Sequence, residues 1–322
     1  MATVLVFVTT AEGAADKVSL QALTLGRDLA GGGPIHALIV GDEAAAAGLG
    51  EWGATHVHVA RGAALDPGTT APDAWARILD DLAGSLGAGI VLGPGTETGN
   101  TVVARAAARA GLPFAAGCTA VTVGSPVTVT RVRWGGSLLE EAAIHADRAM
   151  LTVAPHAIAA VASGGTATIE SFTPELDDAD LAVRVVGTVP APTGGISLAE
   201  AKVVVTGGRG TGSAEGFAPV VDLAGLLGAA VGCSRAVTIA GWRPHTEQVG
   251  QTGTKIAPDL YVACGISGAT QHLAGCKGAK RILAINKDPE APIMSAADYA
   301  VIGDLHEILP AISAEIRRVR GA

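Results

Sequence analysis

Short apolar runs alternate with Ala-rich amphipathic stretches along the first third of the chain. Val4–Val8, Ile35–Val40, His56–Val59 and Ile90–Gly93 read as strands, and Ala71–Leu86 and Val102–Ala110 read as helices alternating with them. This rhythm predicts βαβ units and a mostly parallel sheet. After Thr119 the pattern becomes β-rich, with Val127–Trp134, Ala149–Val153 and Thr166–Phe172 separated by turns at Gly124-Ser125-Pro126 and Gly135-Gly136. These segments are expected to add antiparallel strands at one edge. From Thr188 to Gly195, two prolines and a glycine pair stop both periodicities and predict a linker. The β/α alternation then resumes with Lys202–Thr206, a helix over Gly216–Leu227, strands at Leu260–Cys264 and Ile282–Ile285, and a last helix from Glu307 or Leu309. The expected organisation is an N-terminal domain over 1–190, a linker over 191–200 and a C-terminal domain over 201–322.

Composition refines this picture. The 322 residues suffice for two ordinary domains, and the low aromatic share of 3% against 49% hydrophobic residues predicts tight helix-on-sheet packing rather than aromatic cores. A formal charge of −8 with scattered basic residues argues against a nucleic-acid surface. The Arg317-Arg318 and Arg320 cluster suits the negative end of the last helix. No apolar run reaches the roughly 18 residues of a membrane span, and the first ten residues read as a strand rather than a signal peptide, so no membrane insertion and a cytoplasmic location are expected. Cys118, Cys233, Cys264 and Cys276 lack metal-binding spacing and are expected to be small, reduced, buried residues.

The chemistry lies in the turns that follow the later strands. Gly207-Gly208-Arg209-Gly210 follows a β-branched strand, where small residues let main-chain N–H groups approach an anion. By itself this turn is neither a dinucleotide fingerprint nor a P-loop. Ser234-Arg235 ends an apolar run, Gln248-Val249-Gly250-Gln251-Thr252-Gly253 reads as a loop, and Ser267-Gly268-Ala269-Thr270-Gln271-His272 opens a helix. Asn286 and Asp304 stand at strand ends, where both types also serve as ordinary turn residues. Asp288-Pro289-Glu290 reads as loop architecture, because no nucleophile or second base accompanies it.

In this order and spacing, the motifs from about Ala201 to Pro310 resemble the FAD-binding domain of the electron transfer flavoprotein α subunit. Ile90-Val91-Leu92-Gly93-Pro94 and Leu151-Thr152-Val153-Ala154-Pro155 extend a looser resemblance over the N-terminal half. The resemblance implies a Rossmann-like parallel sheet for the second domain. It also implies an FAD contact set of Arg209, Ser234, Arg235, Gln248, Val249, Gly250, Gln251, Thr252, Gly265, Ser267, Gly268, Ala269, Thr270, Gln271, His272, Asn286, Asp304 and Leu305. Within that set it places Arg235 and Ser234 beside the isoalloxazine, Thr252 near N5, His272 at O2, Ser267 at the pyrophosphate, and Asn286 and Asp304 at the adenosine end. The implied function is electron carriage as a heterodimer with a β subunit, from flavin dehydrogenases such as acyl-CoA dehydrogenases to a quinone oxidoreductase or another acceptor. No catalytic residue or metal ligand is implied. Two alternatives stay open: an electron-bifurcating relative with a second FAD on the β subunit, and an NAD-binding α/β enzyme or sensor.

Overall fold

The computed structural model describes residues 2–11, 13–62, 65, 70–133, 138–185 and 196–321. These fall into two compact units, one within residues 1–189 and one within 190–322. The expected turn at Gly135-Gly136 and the linker over Thr188–Gly195 lie outside the described residues.

The first unit is built on a nine-stranded sheet. In chain order it holds β1 (Val4–Phe7), a two-residue hairpin of β2 (Thr10–Ala11) and β3 (Ala14–Ala15), α1 (Lys17–Ala30), β4 (Ile35–Val40) and β5 (His56–Ala60). Then come α2 (Pro72–Ser85), β6 (Ile90–Pro94), α3 (Glu97–Ala110), β7 (Phe114–Thr122), β8 (Val127–Arg133), β9 (Leu138–Ile144), β10 (Ala149–Val153) and β11 (Thr168–Phe172). The spatial order is β11-β5-β4-β1-β6-β10-β7-β8-β9. Alternation explains the continuous apolar strands: Val4 and Val6 enter one core with Leu23 and Leu29 of α1, while Leu5 and Phe7 enter the other with Ile78 of α2 and Val103 of α3. Both faces of the central strands β1, β4, β6 and β10 are buried, so these strands are almost wholly apolar, whereas the edge strand β11 is largely exposed.

The β-rich segments divide differently from expectation. β7, β8 and β9 form the antiparallel edge, with Val129 opposite Val121 and Ala142. Ala149–Val153 instead runs parallel between β6 and β7, and β11 runs parallel to β5 at the opposite edge. An apolar run identifies a strand, but its partner is chosen by non-local packing.

The second unit carries a five-stranded, all-parallel sheet. Its elements are β12 (Val203–Gly207), α4 (Ala218–Leu227), β13 (Ala230–Cys233), α5 (Arg235–Ile239), β14 (Leu260–Cys264), α6 (Thr270–Cys276), β15 (Ile282–Asn286), α7 (Pro292–Ala296), β16 (Tyr299–Ile302) and α8 (Leu305–Arg320). The order is β13-β12-β14-β15-β16. Val204, Tyr261 and Ala284 point into one core with Ile266 and Ile293, and Val205, Val262 and Ile285 point into the other with Phe217 before α4, Leu223 of α4 and Leu309 of α8. Leu198 and Ala201, at the end of the expected linker, are buried in the first of these cores. The last helix begins at Leu305, earlier than its apolar pattern suggested, because Asp304 caps it: its Oδ1 accepts from His306 N at 2.9 Å. The four cysteines are free and buried. No helix among the described residues is long and apolar enough to cross a membrane.

Candidate functional site

β12 is followed in sequence by β13 on one side and in space by β14 on the other, so the chain reverses its winding between β12 and β14. At such a switch point the turns leaving the strand ends diverge and open a crevice. Here the crevice is a cleft of about 520 Å³. It is lined by Arg209 and Gly210 after β12, Ser234, Arg235 and Ala236 at the start of α5, and the loop Gln248–Thr252. Gly265, Ile266, Ser267 and Ala269 after β14, Gln271 and His272 of α6, and Asn286, Asp288 and Ala291 after β15 complete it.

Close backbone contact shapes the floor. A Cβ on Gly210 would stand 2.7 Å from Gly265 Cα, and Gly265 itself has φ 63°, so neither position accepts a larger residue without displacement. The turn after β14 is wired asymmetrically. Its carbonyls are bonded within the domain, Ile266 O by Asn286 Nδ2 at 2.8 Å and Ser267 O by Ile293 N at 3.1 Å. The main-chain N–H groups of Ser267, Gly268 and Ala269 have no acceptor among the described residues. Successive uncommitted N–H groups, with Ser267, Ala269 and Arg209 all in the cleft wall, are suited to accept an anion. Val249, Ile266 and Ala291, all buried, supply apolar wall beside it.

The loop across the cleft is held by its backbone. Val249 N donates to Cys233 O at 2.9 Å, Gln251 N to Gln271 O at 2.7 Å and Thr254 N to Gln248 O at 2.7 Å. These bonds seat the loop on β13 and α6 and leave Gln251 and Thr252 exposed in the cleft wall.

His272 is buried, and its Nε2 lies 2.6 Å from the hydroxyl of fully buried Tyr261. Its Nδ1 lies near the Val249 main chain, whose carbonyl slightly favours the charged ring, yet has no partner in hydrogen-bond geometry. Burial outweighs that contact and lowers the imidazole pKa to about 4, so the ring is neutral at physiological pH. Burial also holds the Tyr261 phenol well above its ordinary value, keeping it a hydroxyl. Nε2, the nitrogen nearest Tyr261, is therefore already partnered within the domain.

Fourteen of the eighteen residues named from the sequence line the cleft; Gly268, Thr270, Asp304 and Leu305 do not. Gly268 has φ 81° and abuts Ile293 N, where a Cβ would stand at 2.3 Å. Thr270 is exposed at the first position of α6, not in a core site. Asp304 Oδ2 accepts from Lys287 Nζ at 2.8 Å while Oδ1 caps α8, and the Lys287 ammonium holds the carboxyl below its usual range. Leu305 is buried behind Gly265. Sequence reasoning missed Gly210, Ala236, Ile266, Asp288 and Ala291 as lining residues. Gly210 and Asp288 lay inside recognised motifs, whereas Ala236, Ile266 and Ala291 carry no chemical signal.

Open parallel sheets bind nucleotide cofactors in a crevice of this kind, and the fold and cleft place the chain in that class. Comparison with known proteins narrows it. A family model described as "Electron transfer flavoprotein domain" matches residues 4–177, and one described as "Electron transfer flavoprotein FAD-binding domain" matches residues 197–277. The electron transfer flavoprotein subunit alpha of Mycobacterium leprae is 39% identical over 327 residues, covering 100% of both chains. Protein FixB of Clostridium saccharobutylicum is 37% identical, covering 98% of this chain and 97% of that protein, and the subunit alpha of Bacillus subtilis is 35% identical over 96% and 95%. The chain belongs to the electron transfer flavoprotein α-subunit family, and its second unit is that family's flavin-binding domain.

Proposed function

We propose that the cleft of the second unit binds one FAD and that the chain is the α subunit of a heterodimeric electron carrier. The observation that carries this reading is the coincidence of three things: the matched segment 197–277, the switch-point cleft it largely builds, and the anion-receptive turn at Ser267–Ala269. Bound FAD would supply reversible one- and two-electron chemistry, which no side chain in the cleft provides.

The chain's own residues bind and tune. The N–H groups of Ser267 and Ala269, with Arg209, would receive the pyrophosphate, and Asn286 would serve the adenosine end. Ser234, Arg235 and Thr252 would hold the isoalloxazine, where the Arg235 guanidinium would favour negative charge gained on reduction. His272 contributes as a neutral ring held by Tyr261, not as a cation. Asp304 supports the site through Lys287 and the cap of α8. In this reading the chain carries electrons from dehydrogenases such as acyl-CoA dehydrogenases to a quinone oxidoreductase or similar acceptor. A cytoplasmic setting fits four free, buried thiols.

Co-expression with a β subunit tests the reading. The expected product is a yellow complex that releases FAD from this cleft on denaturation and is reduced by an acyl-CoA dehydrogenase with its substrate. A complex that retains nicotinamide instead of flavin would overturn it.

A further inference from the structure

Gln248 differs from the exposed Gln251 and Thr252 of its loop: only 2% of its surface is accessible. Its amide is fixed at both ends. Thr238 Oγ1 donates to Gln248 Oε1 at 2.8 Å, and Gln248 Nε2 donates to Thr252 Oγ1 at 2.9 Å. Thr238 is half-buried on α5 and outside the cleft lining, whereas Thr252 lines it. Three polar side chains thus form a chain leading from the back of α5 to the cleft.

The polarity of that chain has a consequence for Thr252. A hydroxyl has one proton, and Thr252 Oγ1 already accepts from the amide, so its proton is not spent on Gln248. It remains for an acceptor atom in the cleft. Thr238 has a second acceptor within reach, Arg235 O at 2.9 Å. Were its proton committed there and the amide turned end over end, Thr252 would donate to Gln248 and present only lone pairs to the cleft. The two polarities therefore predict opposite effects of cutting the chain.

We infer that Gln248 is a positioning residue which, anchored by Thr238, aims the Thr252 hydroxyl proton at an acceptor atom of the flavin. The inference rests on the FAD reading above. A buried amide suits the task because it has one donor end and one acceptor end and cannot exchange partners with water.

The test uses the full chain in complex with its β subunit, freed of flavin and titrated with oxidised FAD by fluorescence. Thr238→Val and Gln248→Met should each weaken binding about 3- to 10-fold, the range expected for one misdirected hydrogen bond. Thr238→Ser should restore wild-type affinity. In a Thr252→Val background, neither Thr238→Val nor Gln248→Met should cause further loss, because the proton they direct is gone. Thr238 lies outside the cleft lining and half in solvent, so its variants keep the test informative even if Gln248→Met fails to fold. Losses that add to that of Thr252→Val, or tighter binding by Thr238→Val, would overturn the relay while leaving the FAD reading intact. Wild-type complex that takes up no FAD would overturn both.

Discussion

Replacing Gly275 by alanine should loosen the flavin cleft although Gly275 itself does not line it. Gly275 lies on α6, where a Cβ would stand 2.4 Å from both Gly250 Cα and Gly250 N. Ordinary carbon contacts lie at about 3.5–4.0 Å, so α6 and the Gly250 turn must part by roughly 1 Å. The obstruction is backbone, which cannot rotate aside as a side chain would. Overpacking of this kind costs about 1–3 kcal/mol, offset by about 0.5–1 kcal/mol from removing glycine from a helix. The net loss of stability should thus be about 0–2.5 kcal/mol. Binding should suffer more: the displaced turn carries the Gln251 N to Gln271 O bond at 2.7 Å and leads directly into Thr252. A misplacement of about 1 Å in a positioned group costs on the order of 10–100-fold. Gly225, exposed on α4 with nothing within 4 Å of its Cβ position, provides the opposite case. Gly225→Ala should stabilise by about 0.5–1 kcal/mol and leave FAD affinity unchanged. Urea unfolding and FAD titration of both variants supply the measurements. Wild-type affinity and stability in Gly275→Ala would refute the claim that α6 holds the turn by direct backbone contact.

Arg235→Ala should retain FAD but lower the potential for addition of the first electron by on the order of 60–180 mV, since a nearby opposite charge shifts an ionisation by about 1–3 units. Potentiometric titration reads this directly, and an unchanged potential in flavin-replete protein would remove Arg235 from the ring. Acidification should weaken the first unit: burial, then the neighbouring His58 and His56, lower the His36 pKa from 6.5 to about 4. His36 is 8% exposed, and its Nδ1 lies 2.9 Å from His58 Nε2. The unfolded chain therefore binds the extra proton, so this stability is present above pH 6.5, falls by up to about 3 kcal/mol toward pH 4 and changes no further below. Urea midpoints of wild type and His36→Gln across that window should converge as pH falls, and parallel curves would exclude His36 as the source. Co-expression with a β subunit should yield a 1:1 complex by size and mass; a stable, fully flavinated monomer with unimpaired electron transfer would contradict obligate pairing.

The sequence by itself determined most of the strands and several helices, because burial on both sheet faces leaves continuous apolar runs such as Val4–Phe7 and Leu260–Cys264, but it did not mark α1, β9 or β16. It also marked the turns that make the cleft, where Gly208 and Gly210 must be small against Gly265, and Gly268 against Ile293. Non-local pairing was beyond it: Ala149–Val153 reads as a strand wherever it lies, and only packing placed it between β6 and β7. The direction of side-chain polar groups was equally out of reach. Nothing in spacing reveals that Asp304 spends both oxygens on Lys287 and a helix cap, that His272 Nε2 faces Tyr261, or that Gln248 joins Thr238 to Thr252. A motif fixes which chemistry is present, but a hydrogen bond depends on where two distant segments bring their atoms, and that was decided by the tertiary structure alone.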